Sequence, residues 1–318
     1  MRKFLSVSLS LILLGAVAFS GATFSGVARA QTLDKFVYLP LVSRAVDGTT
    51  GSTYTTGLAY QWDIDNPVRR AHLHADKNIT LRGYVDVTGQ TGFTPGYLDY
   101  GTDDTKGPQL PYLFNPARIP AANSLKFYKV RGWNWAGPPE PGTPGPTLDT
   151  CPPNSNPHCV NWPITGLGIP TSTGELIHLP QTHTSNPIAP GYTAIVFYAD
   201  SDGIAVKYTN ADSVLPNGYA LHIRGIAVDP NLLNLYNQSN ADPGPRYNFC
   251  GGNGNCSYPM PYLAPNQPIG RARGAYIFVA ITDTGTFMDP RSCKEWWINF
   301  TGGSGQPGCV VPNGSTIR

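Results

Sequence analysis

Glycine and proline occur along the whole chain, and their frequency constrains the fold more than any other feature. The 318 residues include 35 glycines and 31 prolines. Both residue types disfavour the interior of helices, whereas turns between short strands use them freely. The sequence therefore predicts a mainly β fold with few short helices.

Four segments in the second half of the chain have the composition of β-strands. They are rich in Val, Ile, Tyr and Phe, they are bounded by Gly, Asn, Asp or Pro, and they cover residues 191–199, 203–209, 219–228 and 275–283. One further segment, PNLLNLYNQ at 230–238, predicts a helix with a short apolar face. Asp229, just before its first proline, is a helix-start signal.

The sequence Asp200-Ser201-Asp202-Gly203 connects two of these strand candidates. Closely spaced carboxylates followed by glycine also resemble the start of a calcium-binding loop. No bidentate acid follows at the spacing that such a loop needs, so the sequence predicts a hairpin turn here.

The first thirty residues have the features of a secretory signal peptide. Arg2 and Lys3 precede an apolar run, and Ala28-Arg29-Ala30 forms a small-x-small cleavage site. The run is too short for a good membrane span, although an uncleaved anchor helix is the alternative. Cleavage predicts a mature chain that begins near Gln31, has no transmembrane segment, and is secreted, extracellular or associated with the cell envelope.

Changes in composition divide the rest of the chain into four regions. Residues 31–57 form an N-terminal segment and linker, 58–135 a β-rich N-terminal lobe, 136–160 a Pro/Gly-rich loop, and 161–318 a C-terminal β domain. Together with the signal peptide at 1–30, this organisation predicts a two-lobed molecule.

The charge balance argues against a nucleic-acid partner. Removal of Arg2, Lys3 and Arg29 leaves 19 of the 22 basic residues against 20 acidic ones, so the formal charge changes from +2 to −1. Only 13% of the residues are charged. Neither phosphate binding nor a polybasic membrane patch is indicated by this composition.

Six cysteines follow the predicted cleavage site, in a chain that meets an oxidising compartment. The simplest of the fifteen possible pairings joins them in sequence order. The predicted bridges are Cys151–Cys159, Cys250–Cys256 and Cys293–Cys309. The alternative is that the cysteines bind a metal as thiolates, but the absence of a CxxC motif disfavours it.

The stretch RRAHLHADKN, residues 69–78, contains side chains that zinc accepts as ligands. His72, His74 and Asp76 alternate along the chain, so on a strand all three would share one face. The alternative is a hydrogen-bonded polar patch without a metal.

The aromatic residues are candidates for sugar-binding platforms, since flat rings present an apolar face and Tyr and Trp also hydrogen-bond. Core or loop-anchoring positions are the alternative for most of them. The candidates in Gly- and Pro-rich surroundings are Trp133, Trp135, Trp296, Trp297, Tyr97, Tyr100 and Tyr112.

Several short motifs between about residues 163 and 297 occur in a characteristic order. The motifs are ADSDGIAV at 199–206, GYALHIRG at 218–225, NQPIG at 266–270, Thr284-Gly285 and Asp289-Pro290. In this order they resemble the lysostaphin-like zinc metallopeptidases, secreted β-rich endopeptidases that cut peptide cross-bridges in bacterial cell walls. The resemblance implies a C-terminal β-barrel or sandwich of that family, which carries the duplicated hybrid motif.

The resemblance also implies that the zinc chemistry of the family is lost. Alignment on Asp289-Pro290 places Tyr276 and Phe278 at the two histidine positions of the family's HLH motif. Phenylalanine has no lone pair, and a neutral phenol is a poor zinc ligand. Asn237-Gln238 follows Leu235-Tyr236 where the family's LYAHL motif has a further histidine. His72 and Asp76 keep the family's H-x-x-x-D spacing, but more than a hundred residues earlier than usual.

These observations predict a secreted, non-catalytic binding protein with a degenerate peptidase-like domain. Its predicted partner is a cell-wall or surface polysaccharide, bound without a cofactor. The predicted binding groove consists of Tyr276, Phe278, Asn237 and His222. One alternative is a zinc-dependent cell-wall hydrolase that uses His72, His74 and Asp76. The other is a structural component of the cell envelope or extracellular matrix. No oligomeric state is predicted.

Overall fold

A computed structural model gives the fold of the chain. It describes residues 46–60, 75–100, 107–133, 146–147, 162–182, 186–209, 218–240, 257–283, 286–297 and 309–310. All of these residues belong to one unit, Ala45–Arg318. None of the helices in these ranges is long and apolar enough to cross a membrane.

Most of the described secondary structure is β, as the glycine and proline content predicts. The strands are β1 (Thr55–Tyr60), β2 (Tyr84–Asp86), β3 (Lys126–Val130), β4 (Gly132–Trp133), β5 (Pro146–Thr147), β6 (Gly166–Pro170), β7 (Leu176–His178), β8 (Ala194–Asp200), β9 (Gly203–Tyr208), β10 (Tyr219–Arg224), β11 (Ile226–Val228), β12 (Ser257–Leu263), β13 (Pro268–Ala272), β14 (Tyr276–Asp283) and β15 (Thr286–Phe287). The mainly β prediction is confirmed.

Ten of these strands form one large antiparallel sheet. From edge to edge the order is β1-β12-β8-β9-β10-β14-β6-β3-β2, and β15 pairs with β14. The four predicted strand segments correspond to β8, β9, β10 with β11, and β14. Asp200 pairs with Gly203 where β8 turns into β9, so the hairpin prediction is confirmed.

A smaller sheet of β11, β13 and β7 shares a core with one face of the large sheet. The chain passes from the large sheet to the small one at Gly225, between β10 and β11. Ile226 and Ile269 of the small sheet are fully buried in one cluster with Ile223 and Ile277 of the large sheet. Apolar side chains on alternate residues of each strand therefore fill the space between the two sheets.

Strands from the first half of the chain form both edges of the large sheet. β1 pairs with β12 at one edge, and at the other β2 pairs with β3, which pairs with β6. The described residues of the predicted N-terminal lobe and C-terminal domain thus share one sheet, which differs from the two-lobed prediction. The physical reason is that β12 and β6 have backbone groups that need partners, and the earlier strands supply them.

The predicted Pro/Gly-rich loop at 136–160 is described only in part. Pro146–Thr147 form β5, which pairs with β4. The remaining residues of this region lie outside the described ranges.

The described helices are short, with one exception. They are α1 (Ile79–Arg82), α2 (Pro230–Asn240), α3 (Cys293–Trp296) and two 3₁₀ turns at Leu110–Leu113 and Ala122–Ser124. α2 confirms the predicted helix and its start signal. The buried Asp229 carboxylate accepts the Asn231 N–H at 2.8 Å, and it also accepts the N–H and hydroxyl of Thr50 at 2.8 and 2.7 Å. This one side chain caps the helix and holds the N-terminal segment against it.

The C-terminal segment is held by a buried ion pair and a disulfide. Arg291 donates to Asp289 at 2.6 Å, and both side chains are almost completely buried. Tyr100 also donates to Asp289, at 2.6 Å. The predicted Cys293–Cys309 bridge is confirmed. The predicted Cys151–Cys159 and Cys250–Cys256 bridges lie outside the described residues.

Candidate functional site

The predicted zinc motif lies only partly within the described residues. Asp76 lies in a turn before α1, where its carboxylate forms an ion pair with the buried guanidinium of Arg82. His72 and His74 lie outside the described ranges. Among the described residues, no group of three or more His, Cys, Asp or Glu side chains is arranged to hold a metal ion. In this structure the Asp76 carboxylate offsets a buried positive charge.

The four residues of the predicted groove lie on three elements. Tyr276 and Phe278 share one face of β14, and His222 lies on the same face of the neighbouring strand β10. His222 is buried, and its ring lies 5.8 Å from that of Phe287. Asn237 is exposed on α2. Three of the four residues therefore share a sheet face, and there they meet side chains that the sequence analysis did not select.

A row of directly opposed residues crosses the middle of this face. The row runs through Lys126, Gly168, Phe278, Arg224, Gly203 and Asp200, on β3, β6, β14, β10, β9 and β8. Directly paired residues project to the same side of a sheet. Four of these strands thus place an aromatic, two cationic and one acidic side chain on one line, and β6 and β9 contribute glycines.

Three aromatic rings pack together at the β2 side of this row. The Tyr84 ring stacks on the Phe278 ring with centroids 4.0 Å apart and planes 11° apart. The Tyr128 ring is nearly perpendicular to both, and its centroid is 5.5 Å from each. Equal distances to two stacked rings place Tyr128 beside the stack, not on its outer face. Neither ring therefore covers the outer face of Tyr84, and 37% of this residue is exposed.

An ion network lies at the other side of Phe278. Arg224 donates to Asp200 at 2.6 Å and forms an ion pair with Asp202 at 3.0 Å. To reach Asp200 on β8 the Arg224 side chain crosses β9 at Gly203, where a Cβ would lie 2.7 Å from its Cδ. Arg273 adds a second guanidinium, 3.4 Å from Asp202. Glycine at position 203 is what allows the arginine to lie flat across the strand.

The ion network is open to solvent on its acidic side. The Arg224 side chain is 9% exposed, whereas the side chains of Asp200 and Asp202 are 33% and 47% exposed. The buried guanidinium therefore anchors two carboxylates that face water. Asp200 also accepts the Asp202 N–H and the Tyr198 hydroxyl, both at 2.8 Å. The more exposed Asp202 is therefore the carboxylate of this network with the most capacity left to accept hydrogen bonds.

The pKa values link the rings to the ion network. Burial raises the pKa of Tyr84, the charge of Arg224 opposes that rise, and the charge of Asp202 adds to it. The Tyr84 hydroxyl is thus within electrostatic reach of both ions. Burial also tends to raise the pKa of Asp200, but the hydrogen bond and positive charge of Arg224 outweigh burial, so the pKa is lowered. Asp200 is therefore a carboxylate at neutral pH.

These six residues form a continuous surface, which we call the Tyr84 surface. Its members are Tyr84, Tyr128, Phe278, Asp200, Asp202 and Arg224. Tyr276 flanks it, with the Lys126 ammonium 4.4 Å from the centre of its ring. An aromatic face beside hydrogen-bonding groups is suited to binding a ligand with both apolar and polar sides.

Tyr84, Tyr128 and Arg224 were not predicted as site residues, because the sequence does not show that β10 and β14 pair and bring Arg224 beside Phe278, Tyr84 and Tyr128. The one sequence signal that could have indicated this face is the alternation of Lys126, Tyr128 and Val130 along β3. The selected Trp296 and Trp297 are instead fully buried, with their indole N–H groups bonded to backbone oxygens of Asp289 and Pro290.

Comparisons with protein-family models, with curated proteins and with solved structures find no significant match. The resemblance to lysostaphin-like peptidases therefore stays a prediction. The functional proposal therefore depends on the side chains of the Tyr84 surface.

Proposed function

We propose that this chain is a secreted or envelope-associated, non-catalytic binding protein, and that the Tyr84 surface binds a cell-wall or surface polysaccharide. The observation that carries the proposal is the outer face of Tyr84, backed by Phe278 and placed next to solvent-facing carboxylates. Two residues of the predicted groove, Tyr276 and Phe278, lie in or beside this surface.

The arrangement matches the two-sided chemistry of a sugar ring. The C–H face of a pyranose is apolar and packs on an aromatic ring, while its hydroxyl groups need hydrogen-bond partners around the edge. Asp202 supplies acceptors, and the Tyr84 hydroxyl can donate or accept. The stack on Phe278 holds the Tyr84 ring in place, so little side-chain freedom is lost when a ligand binds.

The sequence resemblance to lysostaphin-like peptidases supports the non-catalytic part of the proposal. Tyr276 and Phe278 occupy the positions where the resembling family has histidines, and neither side chain replaces a zinc ligand. A β scaffold that has lost such chemistry still presents a surface on which a polymer can bind.

Polysaccharide binding is tested by a pull-down with insoluble cell-wall material. Tyr84→Ala removes the exposed ring, and we expect it to abolish retention of the purified protein. Leu58→Ala is the matched control, because Leu58 is an exposed apolar residue, 56% accessible, on the opposite edge strand β1. Equal retention of wild type and Tyr84→Ala would contradict the proposal.

The non-catalytic part is tested separately. The purified protein is incubated with zinc and peptidoglycan, and soluble fragments are measured with and without a chelator. We expect no chelator-sensitive release. Release that disappears in His72→Ala would establish the zinc hydrolase alternative instead.

A further inference from the structure

We infer that the Tyr84 surface selects neutral saccharides over anionic ones, so that its ligand is an uncharged polysaccharide chain. This inference rests on the proposed function and specifies its ligand. The groups of the ion network that face solvent decide this selectivity, more than the number of charges does.

The positive charges of the surface are already engaged. Arg224 is buried between Asp200 and Asp202 and is satisfied by both carboxylates. Lys126 lies against the Tyr276 ring and also within reach of the Asp86 charge. A ligand carboxylate would have to displace one of these contacts before it found a cation.

The flanking Arg273 is engaged as well. Its guanidinium donates to the backbone oxygens of Ser201 and Ile226 and lies near Asp202. The charges in and around the surface balance, with Lys126, Arg224 and Arg273 against Asp86, Asp200 and Asp202. There is thus no net positive charge that would attract a polyanion.

The polar groups most exposed beside Tyr84 are carboxylates, which accept hydrogen bonds. Asp202 is the most exposed member of the network at 47%, and Asp200 is 33% exposed. A carboxylate accepts hydrogen bonds from hydroxyl groups but repels another carboxylate or a phosphate. The Tyr84 hydroxyl makes no hydrogen bond to any residue of the described chain, so it also remains available. Hydroxyl-rich neutral sugars fit this set, and acidic sugars do not.

The test measures binding of the full-length mature protein to two classes of soluble polymer. The neutral class contains a glucan, a mannan, a galactan and a xylan, and the anionic class contains polygalacturonate and alginate. We expect retardation in affinity gels with at least one neutral polymer and with neither polyuronate. Raising the salt concentration should leave neutral binding almost unchanged, because no ion pair forms with the ligand.

A substitution at Asp202 tests whether this carboxylate contributes to the binding of neutral polymers. We expect Asp202→Asn to weaken binding of the neutral polymer about tenfold, because a charge-assisted hydrogen bond is lost. Asp47→Asn is the control, since Asp47 is an exposed carboxylate on the N-terminal segment, bonded to Thr49. Circular dichroism of each variant verifies that the fold is retained.

The outcomes separate this inference from the proposed function. Binding to a polyuronate that Tyr84→Ala abolishes would overturn the inference and leave polysaccharide binding intact. Binding to a neutral polymer that neither Tyr84→Ala nor Asp202→Asn affects would place the site elsewhere and overturn both. Failure to bind any polymer or the insoluble wall material would also overturn both.

Discussion

At the scale of single residues, the candidate site depends on glycines as much as on the side chains that would touch a ligand. The Phe278 ring packs over the backbone of Gly166, where a Cβ would lie 2.4 Å from its nearest ring atom. Phe278 in turn supports Tyr84. The absence of a side chain at Gly166 therefore sets the orientation of the Tyr84 ring, although Gly166 lies two strands away from Tyr84.

We expect Gly166→Ala to weaken polysaccharide binding and to destabilise the fold. The new methyl group would push the Phe278 ring outward, and such overpacking costs about 1–3 kcal/mol. Urea unfolding and the wall pull-down measure the two effects. Gly274→Ala is the control, because no atom lies within 4 Å of a Cβ at that position. If both alanine variants behave alike, the ring is not held by Gly166.

Asp200 gives the stability a defined acid dependence. Its folded-state pKa lies below the ordinary 3.8, because Arg224 outweighs the effect of burial. A depressed pKa contributes stability that is present above the unfolded-state pKa and is lost as the pH falls through the folded-state value. We expect the free energy of unfolding to decline below about pH 4, and to decline less steeply in Asp200→Asn. Urea unfolding along an acid series measures both curves; coincident slopes would contradict this role.

At the scale of elements, the strands of the second half were predictable because each has its own composition. Val, Ile, Tyr and Phe between turn residues identified β8, β9, β10 and β14, and Asp229 identified the start of α2. The partners of β1 and β2 were not predictable. Strand pairing depends on backbone groups that every residue carries, and periodicity within one strand does not specify a partner far along the chain. The candidate site needs four pairings between strands that are far apart in the sequence, β2 with β3, β3 with β6, β6 with β14 and β14 with β10. The sequence alone therefore yielded only Tyr276 and Phe278.

The start of α2 provides a test at this scale. Asp229→Ala removes the acceptor of the Asn231 and Thr50 N–H groups. We expect a loss of about 1–2 kcal/mol, typical of a lost helix cap, measured by urea unfolding. Asp229→Asn keeps an acceptor oxygen for the helix and should recover part of the loss. An alanine variant as stable as wild type would show that the cap contributes nothing.

At the scale of the whole molecule, one bridge closes a loop within the C-terminal segment, and backbone hydrogen bonds attach that loop to the first half of the chain. Cys309 is joined to Cys293, and Val310 exchanges backbone hydrogen bonds with Tyr97 and Asp99. We expect the Cys293→Ser, Cys309→Ser double variant to lose about 3 kcal/mol, because the bridge restricts a loop of moderate length in the unfolded chain.

Denaturant unfolding of the double variant, compared with wild type in the absence of reductant, measures this loss. The matched control is wild type with reductant, which should approach the variant if this bridge dominates. Unchanged midpoints in the double variant would mean that the bridge adds no stability beyond that of the Asp289–Arg291 pair and the backbone hydrogen bonds of the segment.

The pairing of β1 with β12 has a consequence for how this protein is made. Thr55 pairs with Tyr262, so the first described strand receives its partner only after about two hundred further residues have been synthesised. At the usual rate of translation this delay is about 10–40 s. During that time the β1 backbone has no native neighbour in the sheet, and the edge beside β8 stays open. The large sheet therefore cannot be completed on the ribosome until β12 and β14 have been synthesised.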